Sequence, residues 1–232
     1  MAEVTDARRR DEEIQAEVEE TLRWDGRIQS DGIETSVAEG VVELKGSVPN
    51  FTSRAAAVEE AGLIPGVMDV VDGMKVEIKK GVPGVADDVL AARAMDILQW
   101  DSSLDSEDIE VLSREGILEL EGSVDAHWKI QRAFDLVMGI RGVQDVRNNL
   151  AVVPTHSVAD ESLADQVVKA LRRSPLVNEG RVEVEVKNGM VTLNGTVPSW
   201  MEVNTARQVV SNTPGTRDIR NFLETAQEPA PA

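Results

Sequence analysis

The sequence predicts an α+β protein of three tandem small modules, each reading helix, strand, strand, helix, strand, with two helices on one face of a three-stranded mixed sheet. Three observations lead there. First, one unit is written three times: Glu-Leu-Lys-Gly46-Ser-Val, Glu-Leu-Glu-Gly122-Ser-Val and Thr-Leu-Asn-Gly195-Thr-Val set a register that runs without a gap over 14–66, 90–142 and 163–215. The offset is 76 residues from Gly46 to Gly122 and 73 from Gly122 to Gly195, so the length difference lies between units and never inside one. Second, the hydrophobic period changes in a fixed order within each unit. Third, a residue–glycine pair separates the two alternating runs in all three.

The opening segment places Ile14, Val18, Thr21 and Leu22, then Leu90, Ala94, Ile97 and Leu98, then Leu163, Val167, Ala170 and Leu171 at i, i+4, i+7 and i+8, the apolar face of a helix. Ser157 with Asp160 reads as a capping box that starts the third of these helices. The period then drops to two through Ile33, Thr35 and Val37, through Ile109, Val111 and Ser113, and through Val182, Val184 and Val186, with Glu34, Glu110 and Glu183 on the opposite face. Glu39-Gly40, Glu115-Gly116 and Asn188-Gly189 follow, and each predicts a type I′ turn into the next run, because both central residues of that turn need positive φ. Val42 and Leu44, Leu118 and Leu120, Val191 and Leu193 are the inward residues of that second strand. Gly46, Gly122 and Gly195 are expected at its end, at a bulge or where a side chain would strike the following helix.

A second helix follows, through Arg54, Ala57, Ala61 and Ile64, through Ile130, Ala133, Val137 and Ile140, and through Val203, Ala206, Val210 and Thr213. It is expected to close at Pro65-Gly66, Arg141-Gly142 and Pro214-Gly215, with Gly in the left-handed position past the helix end. A last strand runs through Val70, Met74 and Val76, through Val146, Leu150 and Val152, or through Ile219 and Leu223. The modules are expected over 1–80, 81–155 and 156–225, with a disordered tail at 226–232. The linkers are expected at Lys79–Val85 and Pro154–Val158, which carry Pro and Gly and absorb the length change.

The chain carries a formal charge of −18, of which residues 1–80, 81–155 and 156–232 carry −8, −8 and −2. Nucleic acid is disfavoured, since Arg8-Arg9-Arg10, Lys79-Lys80 and Arg172-Arg173 are short and neighboured by acids. The absence of cysteine removes disulfides, thiol catalysis and zinc–thiolate sites together. No apolar h-region follows the basic residues near the start, so no secretory signal is predicted and the chain is expected in the cytoplasm, or in the periplasm if the N-terminus was processed or replaced. His127 and His156 have no ligand partners at metal spacing, and no Gly-x-Ser-x-Gly, Walker or dinucleotide pattern occurs. The expectation is a chain that is not an enzyme and takes no cofactor.

The order of elements, the core Ala38-Glu39-Gly40-Val-Val-Glu-Leu-Lys-Gly46-Ser-Val48, and the closing segments Gly66-Val-Met-Asp-Val, Gly142-Val-Gln-Asp-Val and Gly215-Thr-Arg-Asp-Ile together resemble the BON domain, in all three units. The resemblance implies a binding module of the bacterial envelope or of osmotic stress, associated with phospholipid or with protein partners rather than with catalysis. Family members attached to potassium-binding proteins bring in a cation as an alternative.

Two sets of residues are candidates for that binding. Trp24 and Trp100 fall at equivalent positions at the end of the first helix, and Phe51, Trp128 and Trp200 gather at the start of the second. Amphipathic rings at helix ends suit either a phospholipid surface or a protein partner, or they serve as packing between modules. The other set is the acidic connection after the first helix, where Asp101, Asp105 and Asp108 offer oxygen ligands to K⁺ or Ca²⁺, although the ordered spacing of a calcium loop is missing and a solvated loop is the competing account.

Overall fold

The computed structural model describes residues 2–77, 85–156 and 158–226, and the side chains from residue 10 onward. The predicted linker Lys79–Val85 except Val85, the predicted tail except Ala226, Ser157 and the pair Lys79-Lys80 lie outside the described residues.

Helices and strands follow the predicted order. The first repeat holds α1 (Ala2–Trp24), β1 (Ile33–Ala38), β2 (Val41–Val48), α2 (Phe51–Leu63) and β3 (Asp69–Val76). The second holds α3 (Asp87–Trp100), β4 (Ile109–Arg114), β5 (Ile117–Val124), α4 (His127–Met138) and β6 (Asp145–Val152). The third holds α5 (Asp160–Arg173), β7 (Val182–Lys187), β8 (Met190–Val197), α6 (Trp200–Ser211) and β9 (Asp218–Thr225). Each repeat has its own three-stranded sheet with the middle strand in sequence also central in space. β1 and β2 pair antiparallel, with Thr35 opposite Leu44, while β2 and β3 pair parallel, with Val42 beside Val70. β4, β5 and β6 repeat that mixed pattern, and β7 pairs antiparallel with β8. The antiparallel pair needs only a two-residue turn, whereas the parallel one needs a crossover, which the second helix supplies.

By packing, the chain falls into two compact units, Met1–Lys80 with Pro198–Val203 and Thr225–Ala232, and Gly81–Val197 with Asn204–Glu224. In the first, Val42 and Leu44 are covered by Ile14, Val18 and Leu22 of α1 and by Ala57 and Ala61 of α2. In the second, Leu118 and Leu120 meet Leu90, Ala94 and Leu98 of α3 and Ala133 and Val137 of α4. Leu163, Val167, Leu171, Val191, Leu193, Ala206 and Val210 hold the same places in the third repeat and are fully buried. These are the residues that the 3.6 and 2.0 periodicities select. Burying them on one sheet face is what lets a unit this short fold.

Three details differ from the sequence reading. Gly46, Gly122 and Gly195 are not strand ends, because β2, β5 and β8 continue two residues further, to Val48, Val124 and Val197. They take φ of 104°, 116° and 138°. A Cβ there would collide with the carbonyl oxygens of Gly32, Asp108 and Arg181, just before the first strand, and not with the following helix. The second helices also stop early, at Leu63, Met138 and Ser211. In the first repeat Ile64 is extended, as a residue before proline must be, so Gly66 keeps its positive φ of 93° but lies in the turn beyond. Finally, α5 is capped at Ala159 without a side-chain bond, and Asp160 is engaged elsewhere.

Candidate binding surface

Asp160 has its two carboxylate oxygens on the hairpin turn: they accept from the N–H of Asn188 at 2.7 Å and of Gly189 at 2.9 Å. Asp11 does the same for Glu39 and Gly40, both at 2.9 Å, and Asp87 for Glu115 at 2.8 Å and Gly116 at 3.0 Å. Asp87 also accepts from the Ser113 hydroxyl at 2.7 Å. The first residue of each turn holds positive φ, 53° at Glu39, 52° at Glu115 and 54° at Asn188, which turns two successive N–H groups to one side, where an anion can bind both. The bonds from Gly116, Ser113 and Glu115 hold the Asp87 carboxyl below its ordinary range, and those from Gly189 and Asn188 do so for Asp160. Sequence reading missed this clasp, whose signal is an Asp at the same register in all three repeats. It ties the first residue of α3 and of α5, and the tenth residue of α1, to the hairpin turn of the same repeat.

The helix ends carry the exposed tryptophans. Trp24 is 79% and Trp100 88% exposed. Just past Trp24, Arg27 donates to Asp25 at 2.6 Å and to Glu60 of α2 at 2.5 Å. Just past Trp100, Arg132 of α4 donates to Asp101 at 2.5 Å. In both repeats an arginine thereby ties the residue following the tryptophan to the second helix, and the ring stands clear of the core. One turn before each ring is an exposed acid, Glu20 or Asp96.

The other rings are placed differently. Phe51 is buried, at 8% exposure, with the Arg54 guanidinium 5.4 Å from its centroid and Arg54 paired to Asp72 at 2.7 Å. Trp200 lies over Gly62 and packs on the core of the first unit, and its backbone N–H donates to the Val67 carbonyl at 3.3 Å. Both rings are occupied in packing, which is the module-contact alternative for Trp200. Trp128 is half-buried beside the ammonium of Lys129, 5.9 Å from its ring. His127 opens α4 where Trp200 opens α6, and its Nδ1 is 2.9 Å from the Ser211 hydroxyl in the second unit. Burial lowers its pKa, Arg207 lowers it further, and Asp218 opposes them. Gly62 and Ser211 are equivalent positions, so two residues that open a second helix both seat against the same register position near the end of another.

Asp101, Asp105 and Asp108 are not brought together. Leu104 turns into the core, and the acids around it are distributed over the surface of the connection. Asp101 accepts from the Ser103 hydroxyl, from the Ser103 N–H at 2.9 Å and from Arg132, and these, the hydroxyl foremost, push its carboxyl down to about 2. Among the described residues no group of three or more histidine or carboxylate side chains is placed to hold a metal ion. Among the described residues no helix is long and apolar enough to cross a membrane.

The sequence model of the BON domain matches residues 10–78, 86–154 and 159–227. Osmotically-inducible protein Y of Escherichia coli (strain K12) is 24% identical over 161 residues, which is 66% of this chain and 80% of that protein. Two solved structures of CdsD, a structural protein of the type III secretion system of Chlamydia trachomatis, one of them of its C-terminal domain, are 16% identical. Each covers 92% of this chain, which in turn spans 96% and 92% of theirs, with TM-scores of 0.26 and 0.27.

Proposed function

The chain belongs to the BON domain family, and from that premise we propose that it acts in osmotic or envelope stress by binding rather than by catalysis, presenting the tryptophan-bearing ends of α1 and α3 to a partner. The observation that carries this reading is the pair of rings at one register position, Trp24 and Trp100, left exposed beside anchoring ion pairs. A large ring held out in water in two repeats serves no core, and interface centres are rich in Trp. Similarity to an osmotically inducible protein supports the link to osmotic stress. A protein partner suits the rings better than an anionic phospholipid surface, because Glu20 and Asp96 adjoin them and the whole chain carries −18.

The test compares the chain with its Trp24→Ala/Trp100→Ala form, for retention of proteins from a lysate and for co-sedimentation with phosphatidylcholine vesicles with and without anionic lipid. The double variant should keep its melting temperature and lose what the unaltered chain retains. Equal retention by both would contradict the reading.

A further inference from the structure

In the third repeat the position of Trp24 and Trp100 is Arg173, and the acid one turn earlier, Glu20 or Asp96, is Lys169. The end of the helix pair has reversed its charge. There, between the last turns of α5 and the end of α6, lies an open groove of about 680 Å³. Lys169, Arg172 and Arg173 rim it, Asn212 offers an amide, Val209 and Pro214 are among its apolar lining, and no acidic side chain lines it. Arg172 is paired to Glu179 at 3.0 Å, and Arg173 donates to the Lys169 carbonyl at 3.3 Å, which orients both guanidinium groups. An acidic chain therefore carries a basic, partly apolar groove in its least acidic third.

The basic rim and apolar lining suit an occupant that sets an acid beside an apolar group, and the second repeat displays that combination in an acid and a ring. Asp96 and Trp100 are four residues apart on α3, as Lys169 and Arg173 are on α5, so the two rows have the same spacing of roughly 6 Å. Laid together, the two rows would set Asp96 on Lys169 and the Trp100 ring on the Arg173 guanidinium, a cation–π arrangement, beside the apolar Val209 and Pro214. The end of α3 suits better than that of α1, because Gln99 precedes Trp100 where the cation Arg23 precedes Trp24. Trp100 is 88% exposed, so it does not fill the groove of its own molecule in this structure.

We propose that the groove of the third repeat, rimmed by Lys169 and Arg173, receives the Asp96–Trp100 end of α3 from a second molecule of this chain. The contact is heterologous, so it links molecules head to tail, and association grows with concentration. The inference rests on the binding role given above to Trp100 and names its partner.

Sedimentation velocity over a concentration series tests it on the full chain. The unaltered chain should associate. Trp100→Ala, Lys169→Glu and Asp96→Lys, all at exposed positions, should each weaken association by about tenfold or more with melting temperatures unchanged. Mixing the Lys169→Glu and Asp96→Lys chains should restore it, because the mixture recreates one opposite-charge pair and retains one original pair. A chain that stays monomeric throughout the series, or variants that associate as the unaltered chain does, would overturn the proposal. A monomeric chain whose tryptophan pair still retains a lysate protein or vesicles would overturn this inference alone and leave the wider binding role standing.

Discussion

The second and third repeats have the same interior and opposite ends. Leu120 and Leu193 are both fully buried on the middle strand, Gly122 and Gly195 both lie against the carbonyl before the first strand, and Asp87 and Asp160 both clasp the hairpin turn. At the end of the helix pair, Asp96 and Trp100 stand where the third repeat has Lys169 and Arg173. The interior is set by what a small sheet with two helices needs in order to fold, and these needs recur in each unit. The ends lie outside that requirement, since charge and ring can change there without touching the core, and this is where the repeats can take separate roles.

The largest expected effect probes the shared interior. Leu120→Ala and Leu193→Ala should each cost about 2–5 kcal/mol in denaturant unfolding, because each removes a fully buried side chain from a close-packed face. A loss below about 0.5 kcal/mol for either would place that residue at the surface and break the equivalence. Gly122→Ala and Gly195→Ala come next, at about 1–3 kcal/mol each, since alanine has to adopt the positive φ and displace a backbone carbonyl.

Much of this was legible in the sequence because three registered copies reinforce one another. The inward residues of α1, β2 and α2 could be read from period alone, and the positive φ of both turn residues from Glu39-Gly40 and its equivalents. The Asp87 clasp is marked in the sequence only by the Asp repeated at one register position, which does not name its partners, 28 and 29 residues away. Nor could composition tell that Asp101, Asp105 and Asp108 form no group placed to hold a metal ion, because that depends on the path of the connection. The positions of Trp24 and Trp100 at the helix ends were readable, while the seat of Trp200 over Gly62 needed the fold.

The clasps sharpen the comparison. Asp87→Asn should lower the melting temperature more than Asp160→Asn, because Asp87 also accepts from Ser113, where the third repeat has Val186. Both carboxyls titrate lower in the fold than in the unfolded chain. Their contribution is therefore in place above the unfolded value, about 3.9, and is lost as pH falls through the lower folded value, so each Asn variant should flatten the acid limb of a stability–pH curve. His127 has the same sense at a higher pH. Its folded pKa is depressed, chiefly by burial, so the stability that goes with the neutral ring is in place above the unfolded value of about 6.5 and is lost as pH falls through the folded one. His127→Gln should remove that step from thermal unfolding followed across pH. The smallest effects belong to the ends, where Trp100→Ala and Lys169→Glu should each change unfolding stability by less than about 0.5 kcal/mol.

The division between a shared interior and separate binding ends is tested most directly by hydrogen exchange on the full chain at low and at high concentration. The account predicts that the higher concentration slows exchange at the ends of α3 and α5, around Trp100 and Arg173, and leaves the hairpins at Gly116 and Gly189 unchanged. Added protection at the hairpins with none at the two helix ends would contradict it.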